Sequence, residues 1–295
     1  MEPINEAGRT RVRLGLILLF LAAGFLVFFG WALATAITSS LRLSIRQVVV
    51  IRGSQVAVLL GSLVTALALR KNSRLKPYWR LAFAYFVASC ALVLSDYTGD
   101  WVLILSGQAL NTANGFAALK LGEDAAIIGT IIMLALLTRD DLEKLFLSKG
   151  HLGLGLIIGL CSFLTLTVLG LFSNVSQSMP PGRLRELLPA FGLIALADGF
   201  MEEMLFRGLF LRRLGCIVGD NSANVVTAVV FAFVHLQIVQ LTASPITWLM
   251  AIFLFGLLFG WIMQRTASVL APALLHAGVI MLIIVDTFAA FGINS

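Results

Sequence analysis

The segment Asp198-Gly-Phe-Met-Glu-Glu-Met-Leu-Phe-Arg207 places three carboxylates and a guanidinium inside otherwise apolar surroundings. An ionisable side chain at mid-membrane depth costs on the order of 2.5–3.5 kcal/mol by insertion scales, so such residues are rare there unless they are paired or functional. Glu203 and Arg207 are four residues apart and meet on one helix face. Asp198 and Glu202, also four apart, stack as like charges. Two adjacent carboxylates with such different neighbours suit a division of labour, with Glu203 held by Arg207 and Glu202 left to act as a general base.

Two histidines lie downstream in apolar segments. His235 closes Phe231-Ala-Phe-Val-His235, after a dozen residues (223–234) whose only polar side chains are Asn224 and Thr227. His276 falls in Val269-Leu-Ala-Pro-Ala-Leu-Leu-His-Ala-Gly278, after the basic turn at Arg265. The third histidine, His151, follows Lys149-Gly150 and reads as a solvated residue at a helix start. A glutamate and two histidines can polarise a water, or bind a divalent metal that does so, and then stabilise the charge on a tetrahedral intermediate. Hydrolysis is the reaction class. There is no HExxH zinc signature, and a metal would need ligands from three separate helices, namely Glu202, His235 and His276. Carboxylate-activated water is therefore preferred, with no cofactor favoured and zinc as the alternative.

Taken in order, Glu202-Glu203-x-x-x-Arg207, Phe231-x-x-x-His235 and the span containing Gly256 and Gly260 that leads through Pro272 to His276 resemble the CPBP family of intramembrane proteases. This is the CAAX-processing (Rce1-like) and bacteriocin-processing group, also labelled abortive-infection proteins. The resemblance covers about residues 187–280. It implies an eight-helix intramembrane endopeptidase in which Glu202 and His235 activate water and His276 belongs to the oxyanion-stabilising pair. Glu203 and Arg207 would orient Glu202, and Phe231 would pack behind His235. The sequence departs from the family at Ile280, where a polar residue, usually asparagine, is expected four positions after the last histidine. Loss of one oxyanion donor typically lowers a rate by about 10²–10³. Asp286 could substitute only with a change of register.

The elements that position these residues must be membrane helices. Of 295 residues, 59% are hydrophobic and 12% charged, against about 25% charged in a soluble domain, and the mean hydropathy is +0.98. Runs of about 20 apolar residues occur at 14–37, 48–69, 151–173, 246–263 and 269–290. Shorter candidates occur at 81–95 continuing to 110, 125–138, 187–206 and 222–241. The runs lack the two-residue alternation of a membrane barrel. The expectation is an all-α polytopic bundle of eight or nine helices, with residues 1–180 as N-terminal spans and 181–295 as the catalytic core, separated by a composition break at 174–186. Gly155/Gly159 and Gly256/Gly260 fit the small-xxx-small pattern of closely packed helices.

The basic loop of Arg70, Lys71, Arg74, Lys76 and Arg80 should be cytoplasmic, which also places the N-terminus inside. Carried forward, residues 139–149 and Arg265 fall inside, the Pro180-Pro181-Gly182 loop falls outside, and the glutamate pair opens toward the cytosol, in a bacterial plasma membrane. The run beginning at Leu14 is too long for a cleavable signal segment. The net charge of +6 sits in short clusters between apolar runs, without a basic face or an RNA-binding motif, which argues against nucleic acid as a partner. Expected partners are membrane lipid and a peptide or lipidated protein substrate. Cys90, Cys161 and Cys216 make no CxxC pair and read as small core residues. Two other readings compete with the protease: a scaffold or immunity protein that keeps the fold, supported by Ile280, and a proton-coupled transporter, against which no inverted repeat is found.

Overall fold

The computed structural model describes residues 6–40, 44–138, 145–172, 181–236 and 244–290. Among the described residues the chain is helical, without a β-strand. In order the helices are α1 (Glu6–Gly24), α2 (Gly30–Ser40), α3 (Ile45–Lys71), α4 (Trp79–Ser106), α5 (Ala113–Leu137), α6 (Leu152–Leu171), α7 (Pro181–Glu203), α8 (Leu211–Val218), α9 (Asp220–Val234), α10 (Pro245–Thr266) and α11 (Leu270–Ala290). One π-helical turn joins α1 to α2 at Phe25–Phe29, and a second extends α7 at Met204–Gly208.

Among the described residues, five segments are long and apolar enough to cross a bilayer: Val12–Thr35, Ile45–Lys71, Lys76–Ser106, Leu152–Leu171 and Pro245–Thr266. Large apolar side chains such as Leu19, Val64, Leu105 and Ile157 are exposed along them, as lipid-facing surface must be. This is an integral membrane protein with a polytopic helical bundle.

The helix ends refine the expected spans. The segment predicted at 81–95 with a continuation is one helix over Trp79–Ser106, and the one predicted at 125–138 begins twelve residues earlier, at Ala113. The Thr112 hydroxyl accepts from the Gly115 backbone N–H and starts that helix, so Lys120, Glu123 and Asp124 lie inside α5 rather than before it. α7 begins at Pro181 and α9 ends at Val234. Residues 139–144 and 173–180, which hold most of two predicted loops, are outside the described residues, as is the end of the span predicted at 222–241. Cys161 and Cys216 are exposed and only Cys90 is half-buried, which corrects their reading as core residues. They sit on apolar helices but face away from the packed interior.

The helices group into two compact units. One comprises residues 1–90 and 209–260, the other 91–208 and 261–295. In the first, Phe20, Phe28, Tyr85 and Phe210 form an aromatic core, with Tyr85 Oη donating to the Phe20 carbonyl at 2.7 Å. Asn224 Nδ2 donates to the Leu257 carbonyl at 2.9 Å, tying α9 to α10.

In the second unit α11 packs against α6 and α7. At Gly159 an added Cβ would stand 2.8 Å from Leu274 Cβ, so the small residues expected to permit close approach do so here, between α6 and α11. The start of α11 is fixed by the segment before α6. The His151 N–H donates to the Thr266 carbonyl at 2.8 Å, the Val269 N–H to the Phe146 carbonyl at 3.0 Å, and Ser148 Oγ to the Ala267 carbonyl at 2.9 Å. Gly150, at φ +48°, lies so close to the Thr266 carbonyl that a side chain would collide with it. His151 is exposed and immediately precedes α6.

Candidate active site

Two helices carry the glutamate pair and His276, and a glycine sets their distance. At Gly199 a Cβ would lie 2.8 Å from both the Ala273 carbonyl oxygen and the Ala277 nitrogen. α7 and α11 therefore touch backbone to backbone one turn before the glutamate pair. This contact delivers His276, the neighbour of Ala277, to Glu202 and Glu203.

Glu203 and Arg207 are both wholly buried, and Arg207 Nη1 donates to Glu203 Oε1 at 2.7 Å. The π-helical turn Met204–Gly208 begins immediately after Glu203 and contains Arg207. Such insertions recur at functional sites. Glu203 Oε1 also lies 3.1 Å from His276 Nδ1. The other ring nitrogen, Nε2, is 3.5 Å from Glu202 Oε2. The imidazole thus stands between the two carboxylates. With Glu203 bound to a guanidinium, the hydrogen-bond pattern assigns a proton to Nδ1, donated to Glu203, and turns Nε2 toward Glu202. The Glu202 side chain is 22% exposed and that of Glu203 is 0%.

Asp198 does not face Glu202 as an uncompensated like charge, as the one-helix spacing had implied. Its Oδ1 lies 3.1 Å from Lys120 Nζ, which also donates to Glu123 Oε2 at 3.1 Å. Asp124, on the same helix α5, is buried as well. Lys120, Glu123 and Asp124 were missed in the sequence. The signal was there, as three charges inside an apolar helix, but beginning that span at residue 125 excluded them.

His235 and Phe231 belong to the first unit. His235 Nδ1 is bonded to the Phe231 carbonyl at 2.8 Å, and the two rings are 4.6 Å apart at 55°. The carbonyl bond fixes the tautomer with hydrogen on Nδ1. Phe231 also packs edge-on against Phe259, with centroids 6.4 Å apart.

Ile280 is half-buried against an apolar cluster that includes Ala113, Leu187, Phe191 and Ile284. The place where a polar residue was expected therefore faces aliphatic and aromatic side chains. The Asp286 side chain lies outside the described residues. Among the described residues no three His, Cys, Asp or Glu side chains are grouped as a metal site. The set considered for zinc draws Glu202 and His276 from one unit and His235 from the other.

No curated protein and no solved structure matches the chain. Residues 184–282 match the model of the family described as type II CAAX prenyl endopeptidase Rce1-like, and this stretch holds Glu202, Glu203, Arg207, Phe231, His235 and His276. Over these residues the chain is similar to the protease domain of the Rce1-like family.

Proposed function

We propose that the protein is an intramembrane endopeptidase that hydrolyses a peptide bond in a prenylated or otherwise membrane-presented chain, using Glu202 as the general base. The observation that carries the reading is the asymmetry of the glutamate pair. Glu203 is sealed and bonded to Arg207 and His276, whereas Glu202 is partly exposed beside His276 Nε2.

In this reading water attacks the scissile carbonyl carbon as Glu202 takes its proton. Glu202 passes the proton to His276 Nε2, 3.5 Å away. The ring, held at Nδ1 by Glu203, then donates from Nε2 to the oxyanion and on to the departing amine. General base catalysis of this kind contributes about 10²–10⁴-fold. Glu203 and Arg207 act as positioning residues. The site would open toward the cytosol, with the N-terminus on the same side, in a bacterial plasma membrane. Residues 1–180 would supply supporting spans and residues 181–295 the catalytic core.

A second reading is a weakened enzyme or scaffold, and the apolar packing of Ile280 favours it. Zinc-assisted hydrolysis with Glu202, His235 and His276 is the alternative chemistry, and no step above is routed through a metal.

The test is cleavage of a fluorogenic peptide with a C-terminal prenyl-cysteine motif, beside its unprenylated twin and a leader-type peptide, by the purified full chain in detergent with and without chelator. Cleavage of the prenylated peptide, unaffected by chelator, is the expected result. Loss of cleavage on chelation would move the assignment to the metal-dependent mechanism. No cleavage of any peptide would favour the scaffold.

A further inference from the structure

Between Glu6 and Asp96 the chain contains no Asp or Glu, yet this stretch holds eleven of its 21 Lys and Arg. Five of them, Arg70, Lys71, Arg74, Lys76 and Arg80, crowd the turn between α3 and α4 and are exposed. None of the five forms an ion pair with a carboxylate among the described residues. No described carboxylate supplies their counter-charge.

The turn is built rather than loose. Asn72 Oδ1 accepts from the Arg74 N–H at 3.0 Å and the Leu75 N–H at 3.3 Å, and the Asn72 carbonyl accepts from the Lys76 N–H at 2.8 Å. Pro77 lies within the short 3-10 turn that follows. The guanidinium carbons of Arg70 and Arg80, one from each helix, lie 5.2 and 5.8 Å from the centroid of a single ring, Trp79. Contacts of this kind tie a forked donor from each helix to one ring.

Below the cations runs an apolar stripe. Leu60, Val64 and Leu67 are exposed and share a helix face with Lys71 by their spacing of four, three and four. Only 6% of the most apolar window of α3 is buried. Phosphate-binding donors above an exposed aliphatic stripe, with Tyr78 and Trp79 at the level of a membrane interface, match one ligand: an anionic phospholipid with its phosphate at the turn and an acyl chain along α3.

We infer that the α3–α4 turn is a binding site for an anionic glycerophospholipid, with Arg70 and Arg80 forking its phosphate. The site is independent of any proteolytic activity.

Native mass spectrometry of the full chain in neutral detergent, with equimolar phosphatidylglycerol and phosphatidylcholine of matched chains, tests it. Phosphatidylglycerol should be retained at least about tenfold more, since each nearby charge favours an anionic lipid about fivefold. R74Q/K76Q should lower retention about 25-fold on the same scale. R70K/R80K keeps every charge and loses only the fork and the ring contacts; it should reduce retention of phosphatidylglycerol by at least about threefold. V64Q/L67Q should weaken retention without changing the charge. Unfolding temperature in detergent identifies any misfolded variant, and the remaining variants then decide. Equal retention of the two lipids by the wild type, or unchanged phosphatidylglycerol retention in folded R70K/R80K, would reduce the cluster to a topology signal and overturn the proposal. Displacement of the lipid by millimolar inorganic phosphate would overturn it in favour of a free-phosphate site.

Discussion

Glu203 and His276, 73 positions apart in the chain, meet with 3.1 Å between Oε1 and Nδ1. The same carboxylate oxygen receives Arg207 Nη1 at 2.7 Å. Glu203 is therefore where the guanidinium and the imidazole meet, and Glu202 is the partly exposed member of the pair.

Removing Arg207 strands the buried Glu203 carboxylate. Arg207→Leu should lose about 3–5 kcal/mol of stability, the usual consequence of breaking one side of a buried ion pair. Glu203→Gln combined with Arg207→Gln should recover much of that loss. Unfolding in detergent measured on the single and double variants checks this, and equal losses in both would argue against the pair.

At Gly199 a methyl group would meet the backbone of α11 at 2.8 Å. Gly199→Ala must push α7 and α11 apart and draw His276 away from the glutamates. A displacement of about 1 Å in a catalytic site can lower a rate about 10²-fold, so turnover should drop by that order. Gly192, on the same helix with open space around it, should accept alanine with wild-type kinetics.

Lys120 is the cation between Asp198 and Glu123. Lys120→Met leaves the acidic cluster uncompensated and should reduce both yield and unfolding temperature, by about 3 kcal/mol or more if the pair behaves as a buried one. Adding Asp198→Asn should restore part of the stability. Additive losses in the double variant would show that the two residues do not interact.

The sequence made some of these relationships legible and concealed others. Glu203 and Arg207 could be paired from their spacing, because a helix places residues four apart on one face. The membrane helices were readable from composition and run length, and the family from three ordered motifs. The contact between His276 and Glu203 could not be read, because it depends on how α7 crosses α11, and the glycine that permits the crossing looks like any other glycine in the sequence. Lys120 was hidden for another reason: its charges ended a hydrophobic run on paper, while in the fold Asp198 of α7 accepts them. Ile280 stood out only by resemblance, and its neighbours on α5 and α7 became visible once the helices were packed.

Glu202→Gln gives the most direct test of the central claim, assayed beside the wild type and His235→Ala in detergent with the prenylated peptide. Because Glu202 is partly exposed and the substitution is nearly isosteric, unfolding temperature should stay at the wild-type value while kcat falls at least about 10²-fold, the lower range for loss of a general base. A folded Glu202→Gln protein that cleaves at the wild-type rate would contradict the account.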